Sequence, residues 1–398
     1  MRYKYSTTSK DIIILGVRIN DLPPVRIKKI VAEFLSDKKF NLIFTPNPEI
    51  CLRATRDEHY QKTLNSSDLN IPDGIGLRLG AEILDQKLHH RLTGVDLTRF
   101  ILDYCHEQTD KVYKILIINR PNPLSSAPLI KKYFAKNYPC FQVTIIETRS
   151  VALATTTIKE FQPTIVFTAL GAPDQEKMLL ELEDVEFEQP PELGLAVGGT
   201  FDFLTGQRKR APQWWRDLGL EWFYRLLRQP ARLGRITDAT IKFPLTCYRW
   251  RERINHVYRP NVMAIIKRGD NYLIQRNPRF EDEHWQFPQG GVDRGESPAT
   301  AVIREASEEL GLDPKFLKII KELPRRHTYV WPRWRQLLGG YRGQRQRFFL
   351  LNFTGRDEDF QFTDSEEVVE IKWVQKSELL DYIHPQRQRS LEGLMDLI

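Results

Sequence analysis

The sequence predicts an α/β protein of two domains, a mostly parallel sheet domain followed by a smaller α+β domain. Three observations support this fold class. A chain of 398 residues is long enough for two domains of roughly 100 to 200 residues, each with its own core. Its content of 41% hydrophobic and 28% charged residues is that of a folded globular protein. Short β-branched runs alternate with helix-like stretches to about residue 200, and the pattern changes after residue 206.

Six short apolar runs predict the strands of the first domain. In chain order they are IIILGV, NLIFTPN, YKILIIN, QVTIIET, PTIVFTALG and LGLAVGG. Because they are almost wholly apolar and are separated by crossover-length segments, they indicate a Rossmann-like, mostly parallel sheet. In such sheets ligands bind beyond the carboxyl ends of the strands. The candidate site is therefore formed by the polar or glycine-rich tails of these runs, TPNPE, TALGAPDQE and VGGTFDFLTG.

The composition divides the chain into four parts. They are an N-terminal tail (1–10), the α/β domain (11–205), a basic aromatic appendage and linker (206–254) and the α+β domain (255–398). Residues 206–253 contain twelve Lys or Arg against four Asp or Glu, which accounts for the whole net charge of +7. In the last part, the sequence predicts a hairpin that turns at Arg268–Asp270, a helix over about 298–310 and strands at QRFFLLNF and VVEIKWV.

The cysteines and the first residues exclude some classes of protein. Cys51, Cys105, Cys140 and Cys247 show no metal-ligand spacing, which argues against a zinc site and against a disulfide framework. The apolar run at residues 12–15 is too short for the core of a signal peptide or for a membrane span. We therefore expect a protein of the cytoplasm.

A long motif surrounds the helix predicted at 298–310. Gly290, Glu296, seven further residues and the run from Arg304 to Leu312 fit G-x5-E-x7-R-E-U-x-E-E-x-G-U, and only Ala306 is smaller than usual. This pattern resembles the Nudix box of hydrolases that act on nucleotide-linked diphosphates. We expect Arg304 and Glu296 to form an ion pair that fixes the loop on the helix.

Three carboxylates of this motif share one helix face. Glu305, Glu308 and Glu309 stand at i, i+3 and i+4, so they repel one another unless a cation lies among them. Oxygen ligands suit Mg²⁺ or Mn²⁺, and we interpret these residues and Gly290 as metal ligands, with Glu309 also catalytic. A solvated surface is the ordinary interpretation of a glutamate-rich face. It fits poorly here because the glycine-rich loop keeps the spacing of a long motif.

The likeness covers about residues 257–385. Its segments YRPNV, WQFPQGG and GQRQRFF are similar to the branch that holds bacterial RNA pyrophosphohydrolase and dinucleoside polyphosphate hydrolases. This resemblance implies hydrolysis of an RNA 5′-triphosphate end or of a dinucleoside tetraphosphate. It also implies a catalytic glutamate six residues before Trp373, which is Glu367, with Glu366 as competitor. The candidate phosphate-binding arginines, each as readily an ordinary surface charge, are Arg259, Arg276, Arg345 and Arg347.

Three polar segments define the candidate site of the first domain, namely TPNPE, PDGIG and GAPDQE. Each alone is weak, because Asp-Gly is commonly a turn and Gly74, Gly76 and Gly80 lack the spacing of a dinucleotide fingerprint. They occur in order with RLTGVD, VGGTFD, RAPQW and GLEWFYRL. In this order they resemble the WecG/TagA/CpsF glycosyltransferase family over about residues 11–245.

That resemblance implies an inverting transfer of a sugar from a UDP-sugar, typically UDP-N-acetylmannosamine, to N-acetylglucosamine on a polyprenyl diphosphate. Asp73 matches the family's proposed base for the acceptor hydroxyl. The other matching positions are polar side chains that line the site and glycines whose N–H groups approach phosphate: Thr45, Asn47, Gln175, Gly198 and Gly199. The Asp-x-Asp motif of many glycosyltransferases is absent from this domain, which predicts a transfer without a cofactor.

The basic segment has the pattern of an amphipathic helix. Its apolar and basic residues at helical spacing are Trp215, Leu218, Trp222 and Leu226 with Arg216, Arg225 and Arg228. Such a helix suits an anionic membrane surface, where each cation contributes roughly 1 kcal/mol. The resemblance implies that Arg225, Arg232 and Arg235 close over the site and stabilise the UDP leaving group. Packing on the main domain and nucleic-acid binding are the other interpretations.

The sequence thus predicts a bifunctional enzyme that is cytoplasmic and peripherally associated with the inner face of the cell membrane. Its expected partners are a UDP-sugar, a lipid-linked acceptor, and a nucleotide or RNA 5′ end, with a homo-oligomer as a possible assembly. One alternative makes the Nudix domain a nucleotide sensor. Another places the whole chain in RNA metabolism, with a degenerate first domain.

Overall fold

The computed structural model describes most of the chain. The described residues are 11–108, 111–212, 215, 224, 234, 237–277, 285–361, 368–384, 388, 391 and 393–398. They form two compact units, one running to Glu252 and including Leu337–Gly340, the other comprising Arg253–Gln336 and Tyr341–Ile398. The predicted N-terminal tail lies outside the described residues, as does almost all of the predicted basic helix.

The first predicted strand, IIILGV, is not part of the large sheet. It forms an antiparallel hairpin of β1 (Asp11–Ile14) and β2 (Val17–Asn20). The turn residues Leu15 and Gly16 have φ of 51° and 82°. Left-handed backbone at both positions closes a two-residue hairpin. The prediction of a parallel strand was wrong here because the glycine turns the chain within the apolar run.

The first unit contains a six-stranded sheet in which all neighbouring strands are parallel. Its strands are β3 (Asn41–Phe44), β4 (Leu69–Asn70), β5 (Lys114–Asn119), β6 (Gln142–Glu147), β7 (Ile165–Ala169) and β8 (Leu193–Ala196). They lie in the order β4-β3-β8-β7-β5-β6. The predicted mostly parallel α/β sheet is confirmed.

Nine α-helices are described among residues 11–212. They are α1 (Pro24–Phe34), α2 (Pro48–Ala54), α3 (Glu58–Asn65), α4 (Gly76–Ile83), α5 (Gly94–Glu107), α6 (Ala127–Asn137), α7 (Val151–Phe161), α8 (Asp174–Glu183) and α9 (Thr200–Leu204). The side chains of Asn47, Asp57 and Thr93 accept a backbone N–H in the first turn of α2, α3 and α5. These caps satisfy helix N–H groups that would otherwise lack a partner.

The core of the first unit lies between this sheet and the helices that cover it. Every residue of β3, β7 and β8 is buried. Strand side chains such as Ile117 and Phe167 pack in one cluster with Val31 of α1 and Ile101 of α5. Continuous apolar strands are what a parallel sheet covered by helices requires. The backbone at the carboxyl ends of these strands is therefore firmly held.

The second unit is built on a mixed seven-stranded sheet. Its strands are β9 (Tyr258–Arg268), β10 (Asn271–Arg276), β11 (Trp285–Gln286), β12 (Gln289–Gly291), β13 (Leu317–Val330), β14 (Gly343–Phe353) and β15 (Glu370–Gln375). Strands β9 and β14 are parallel, and the other pairs are antiparallel. From residue 243 onward the helices are α10 (Phe243–His256), α11 (Pro298–Leu310), α12 (Arg333–Gly339) and α13 (Leu379–Tyr382).

The predicted hairpin and helix of the second unit are confirmed. The chain turns between β9 and β10 at Gly269, which has φ of 61°. Helix α11 begins after the capping residue Ser297 and ends at Gly311, also with φ of 61°. Strand β13 was not predicted, because most of its residues are exposed and many are charged. Among the described strands it pairs only with β14 and so lies at the edge of the sheet.

Apolar clusters lie on the two faces of this mixed sheet. One contains Phe287 and Phe348. The other contains Ala301, Ala306 and Leu310 of α11, so the small residue in the motif packs α11 on the sheet. No helix within the described residues is long and apolar enough to cross a membrane.

Candidate active sites

A cavity of about 430 Å³ opens at the carboxyl ends of the parallel strands of the first unit. This is where ligands bind in sheets of this kind. Its walls include all the positions of the α/β domain that the sequence singled out: Thr45, Asn47, Asp73, Gln175, Gly198 and Gly199. The residues that the sequence singled out in this domain therefore lie on the walls of one cavity.

Two polar residues that follow β3 tie the walls of the cavity together. The hydroxyl of Thr45 donates a hydrogen bond to the carbonyl oxygen of Ala196 at 3.2 Å, which joins the ends of β3 and β8. Oδ1 of Asn47 accepts the backbone N–H of Ile50 at 3.0 Å and caps α2. Both side chains line the cavity while they hold its backbone, so their positions are fixed by the fold.

Asp73 lies on the loop between β4 and α4. Its backbone N–H donates to the carbonyl oxygen of Pro46 at 2.9 Å, which joins this loop to the one that follows β3. The next residue, Gly74, has φ of 101°, a conformation that favours glycine. A carboxylate on the wall of a cavity can accept a proton from a bound hydroxyl group.

Gln175 joins two loops of the cavity. Its Oε1 accepts the backbone N–H groups of Gly171 at 3.2 Å and of Gly198 at 3.0 Å. Its Nε2 donates to Glu176 at 2.6 Å. Gln175 is only 4% exposed, so it serves mainly to hold the ends of β7 and β8.

The Gly198 N–H, which we expected to approach phosphate, already has a partner within the protein. That N–H is donated to Gln175, so it is used within the protein. Gly199 lies on the cavity wall, and a side chain placed there would meet Asp202 and Arg208 at 3.5 and 3.6 Å. The absence of a side chain at Gly199 therefore leaves room for a ligand beside these charges.

Sequence reasoning missed a charged cluster in the same cavity. The hydroxyl of Ser125 donates to Asp202 at 3.0 Å, and the Arg208 guanidinium lies 3.4 Å from the other oxygen of that carboxylate. All three residues line the cavity. Gly206, with φ of 78°, turns the chain so that Arg208 returns to Asp202. The sequence signal for this pair was Gly206 between Asp202 and Arg208, because a glycine allows the turn that brings the two charges together.

Of the other arginines near the site, some bind neighbouring side chains and others line the cavity. Arg210 makes two hydrogen bonds to Asp96, at 2.6 and 2.8 Å, and one to Thr93 at 2.8 Å, so it fixes the start of the basic segment on α5. Arg91 and Arg120 line the cavity. The predicted arginines of the appendage lie outside the described residues: Arg225, Arg232 and Arg235.

In the second unit, Arg304 organises the charges of α11. Its guanidinium contacts both oxygens of Glu296 at 2.8 and 2.9 Å, Glu305 at 2.9 Å, Glu308 at 3.1 Å and the carbonyl oxygen of Gly291 at 3.1 Å. The predicted pair of Arg304 with Glu296 is confirmed, and hydrogen bonds from Arg304 lower the pKa of Glu296. This arginine fastens the glycine-rich loop to the helix.

Glu309 is held by a different set of groups. Its Oε2 accepts the side-chain amide of Gln275 at 2.6 Å and the backbone N–H of Gln289 at 3.2 Å. Glu309 is 8% exposed and Gln275 is fully buried. A buried polar group requires a partner. Gln275 stands beside Arg276 at the end of β10, so nothing in the sequence indicated that it is buried.

The donor atoms of this motif suit a hard divalent cation. Glu305, Glu308, Glu309 and the carbonyl of Gly290 offer oxygen atoms alone, and a side chain at Gly290 would overlap the Glu305 carboxylate. Burial raises the pKa of Glu305. Among the residues that the structure describes, no three acidic, His or Cys side chains converge to hold a metal ion. Cation binding would therefore require Glu305 and Glu308 to exchange contacts with Arg304.

The candidate phosphate-binding arginines of the second unit have other contacts. Arg276 pairs with Glu370 at 3.0 Å, and Arg347 pairs with Glu322 at 2.7 Å. Arg345 lies over the ring of Tyr258, and Arg259 lies beside Gly291. The ion pairs favour a structural role for Arg276 and Arg347. The predicted catalytic residue Glu367 and its competitor Glu366 lie outside the described residues.

Two family models match the chain in succession. The model of the WecG/TagA/CpsF family of glycosyl transferases matches residues 12–257, and the model of the NUDIX domain matches residues 257–394. A structure of a C. elegans Ap4A hydrolase binary complex is 20% identical, with a TM-score of 0.26, and the match covers 35% of this chain and 99% of that chain. The assignment of the second domain rests on the family model.

Curated relatives, two of them bacterial glycosyltransferases of the same name, match the first domain. The N-acetylglucosaminyldiphosphoundecaprenol N-acetyl-β-D-mannosaminyltransferase of Staphylococcus aureus (strain MW2) is 30% identical over 242 residues, 59% of this chain and 91% of the relative. The enzyme of the same name from Bacillus subtilis (strain 168) is 30% identical over 216 residues, 54% of this chain and 81% of the relative. Since the first model also spans more than half of the 398 residues, the chain belongs to the WecG/TagA/CpsF family of glycosyl transferases and carries a NUDIX domain after it.

Proposed function

We propose that the first domain transfers N-acetylmannosamine, with inversion, from its UDP derivative to N-acetylglucosamine linked to a polyprenyl diphosphate. The observation that carries this proposal is the cavity at the strand ends, because its walls include the carboxylate of Asp73 and several arginines, among them Arg208. The names of the S. aureus and B. subtilis relatives support the choice of donor sugar and acceptor.

Asp73 would act as the base of this reaction. It accepts the proton of the acceptor hydroxyl while that oxygen forms a bond to the anomeric carbon of the donor. The bond from that carbon to the UDP oxygen breaks on the opposite face, which inverts the configuration. Negative charge then develops on the diphosphate, and arginines facing the cavity stabilise it. Arg208, fixed by Asp202, is the best placed of these within the described residues.

The test is transfer by the full chain with UDP-N-acetylmannosamine and a lipid-diphosphate acceptor. Replacing Asp73 with Asn removes the proton acceptor and should lower kcat by about 100- to 10,000-fold. Asp184→Asn, an exposed change at the end of α8, is the matched control. Unchanged turnover in Asp73→Asn would remove Asp73 from the reaction, and absence of turnover with every UDP-sugar would overturn the proposal.

For the second domain, we propose hydrolysis of a nucleotide-linked diphosphate, either an RNA 5′-triphosphate end or a dinucleoside polyphosphate. Glu305, Glu308, Glu309 and Gly290 would hold Mg²⁺ or Mn²⁺, which would neutralise phosphate charge and activate water when bound. Glu309 and Glu367 are the residues proposed to assist the attacking water. Release of pyrophosphate from triphosphorylated RNA and formation of mononucleotides from diadenosine tetraphosphate, each measured with and without EDTA, distinguish the substrates and test the metal requirement.

A nucleotide-sensing role for the second domain has one observation in its favour. Arg304 contacts both Glu305 and Glu308, so a cation must compete with it. If Glu308→Gln leaves nucleotide-dependent changes in glycosyl transfer intact and no hydrolysis is detected in the unaltered chain, sensing replaces hydrolysis. Rapid hydrolysis that Glu308→Gln abolishes would exclude sensing as the main role.

We propose that the enzyme is peripheral to the inner face of the cell membrane, where the proposed lipid-linked acceptor would lie. The basic charge of residues 206–253 supports this proposal. Deleting residues 213–236 should move the protein from anionic vesicles to the soluble fraction in a sedimentation assay. Equal sedimentation of both forms would exclude this segment as the membrane contact.

A further inference from the structure

Glu176 is a buried carboxylic acid that the chemistry proposed above does not use. It lies in the first turn of α8 and has no exposed surface. One carboxylate oxygen accepts the hydroxyl of Tyr60 at 3.0 Å, and the other accepts the side-chain amide of Gln175 at 2.6 Å. Burying an acid costs free energy unless other groups bind it. A buried acid next to a residue of the cavity wall is therefore a candidate for a role in the site.

The contact with Glu176 determines which way the Gln175 amide points. An amide has a donor end and an acceptor end, and a carboxylate can only accept. The NH₂ group of Gln175 must therefore face Glu176, which leaves Oε1 to face the backbone N–H groups of Gly171 and Gly198. A reversed amide would place NH₂ against these two donors, and both hydrogen bonds would be lost.

The two loops that meet at Gln175 depend on this contact. Gly171 follows β7 and Gly198 follows β8, and both have positive φ, at 86° and 53°. Neither glycine has a side chain with which to hold its own loop. Both line the cavity, and Gly198 directly precedes Gly199, which lies beside Arg208. The amide of Gln175 therefore sets the separation of two walls at the end of the cavity proposed for the donor diphosphate.

We propose that Glu176 is a positioning residue for glycosyl transfer: anchored by Tyr60, it locks the Gln175 amide in the one orientation that holds the Gly171 and Gly198 loops in place for the UDP-sugar. This inference rests on the proposed function of the first domain. It gives Tyr60 a role as well, although Tyr60 lies outside the cavity wall. Neither residue touches the reacting atoms.

Protonation of Glu176 should change the rate of glycosyl transfer. Both neighbours donate to the carboxylate, so the ionised acid accepts both bonds, whereas the protonated acid must donate one of its own. Burial raises the pKa of Glu176 to about 6, with opposing effects from Gln175, Tyr60 and Arg53. Tyr60 faces it from α3 and Arg53 from α2. Transfer should therefore decline as the pH falls through about 6.

Folding stability should change in the opposite direction. A carboxylic acid whose pKa is higher in the folded chain than in the unfolded chain binds its proton more tightly when folded. Protonation of Glu176 between about pH 6 and 4.5 therefore favours the folded state. Loss of transfer in this range without unfolding would separate a change in the site from a loss of the fold.

The experiment compares Glu176→Gln with the unaltered full chain. Glutamine has one acceptor oxygen where the carboxylate has two, so the Gln175 amide loses its fixed orientation. We expect the KM for UDP-N-acetylmannosamine and the Kd for UDP to rise about 10- to 100-fold, with a smaller change in kcat. The decline of transfer below about pH 6 should also disappear. Tyr60→Phe, which removes only the anchoring hydroxyl, should change KM in the same direction but by less.

Glu192→Gln is the matched control, because Glu192 is partly buried and pairs with Lys111 away from the cavity. It should leave the KM for the donor unchanged. Equal KM, Kd and pH profile in Glu176→Gln and the unaltered chain would overturn the inference alone. A lower melting temperature with an unaltered KM would assign Glu176 to the fold. Absence of both UDP binding and transfer in the unaltered chain would overturn the proposed function and the inference with it.

Discussion

The cavity of the first unit and the glutamate face of α11 hold their acidic groups in different ways. In the first, Glu176 is fully buried and its two hydrogen-bond donors, Tyr60 and Gln175, are neutral. In the second, the single guanidinium of Arg304 contacts three carboxylates, one of which is largely exposed to solvent. The two sites therefore differ in what must happen before a ligand can bind.

Neutral donors and a cation have different consequences for a carboxylate. Neutral donors fix the geometry of a buried acid and leave its pKa raised by burial. A guanidinium keeps acids ionised and near one another, and another cation can replace it at partly exposed groups. The cavity of the first unit is therefore organised by the fold, whereas a divalent cation on the acidic face of α11 would have to displace Arg304 from Glu305 and Glu308.

Among the changes that test this difference between the two sites, the largest effect is expected at Arg304. Replacing it with Met removes the cation from Glu296, Glu305 and Glu308 and releases the glycine-rich loop. Hydrolysis should fall about 10- to 100-fold and the free energy of unfolding should fall by about 2 kcal/mol. Both are measured on the purified full chain, by formation of pyrophosphate or mononucleotide product and by urea unfolding of the second domain.

Arg268→Met provides the control for that change. Arg268 pairs with Asp357 at 2.8 Å on an exposed part of the second unit, away from α11. Breaking an exposed ion pair should cost less than about 1 kcal/mol and leave hydrolysis unchanged. If Arg304→Met hydrolysed its substrate as fast as Arg268→Met does, the inference that Arg304 organises the acidic face of α11 would be wrong.

The next effect concerns the cluster around Asp202 in the first unit. Arg208→Gln removes a cation from the cavity wall, and it should raise the KM for the UDP-sugar about tenfold, as expected for one lost charge-assisted hydrogen bond. Arg149→Gln breaks an exposed pair with Asp174 and serves as the control. An unchanged KM in Arg208→Gln would show that the diphosphate binds elsewhere.

A smaller effect is expected for Gln275, the neutral side chain that donates to the Glu309 carboxylate in the second unit. Gln275→Leu preserves volume but removes the amide that Glu309 accepts, while the Gln289 N–H still binds that carboxylate. Hydrolysis should fall about fivefold, the equivalent of one neutral hydrogen bond. Gln346→Leu removes a buried amide that binds Asn261 and Gln289 but not Glu309, so it should have less effect. The reverse order would exclude orientation of Glu309 as the reason.

Regular patterns made much of this structure predictable. The apolar runs predicted the parallel sheet because its strands are buried on both faces, and the box motif predicted α11 together with the Arg304–Glu296 pair. Each depends on spacing within one short segment. Strand β13 depends on pairing across the sheet with β14, and its exposed, charged residues carry no apolar alternation.

The functional contacts were harder to predict, because they join segments distant in the chain. The sequence placed Gln175 in the cavity but as a group facing the substrate, whereas its amide is used between Gly171, Gly198 and Glu176. Glu176 follows Gln175 directly, yet its partner Tyr60 lies 116 residues earlier. The sequence does not show which of two adjacent polar residues is buried, because the residue that hydrogen-bonds to it is distant in the chain.

The smallest expected effect tests how firmly Tyr60 itself is held. Asp57 caps α3, and its carboxylate accepts the backbone N–H of Tyr60 at 2.9 Å. Asp57→Ala should lower the free energy of unfolding by about 1 kcal/mol at pH 7, measured by urea unfolding of the first domain. Because α3 is held mainly by its buried side chains, the KM for the UDP-sugar should change little.

Asp57→Asn separates the cap from its charge. Hydrogen bonding to the Tyr60 N–H lowers the pKa of Asp57 in the folded chain, so its contribution is present above the unfolded pKa, near 3.9, and is lost as the pH falls through the lower folded value. Asparagine caps helices nearly as well, so this variant should keep most of the stability at pH 7 and lose that pH dependence. If Asp57→Asn destabilised the chain as much as Asp57→Ala does, the charge near Lys177 and not the cap would anchor α3, and the support for Tyr60 would be electrostatic.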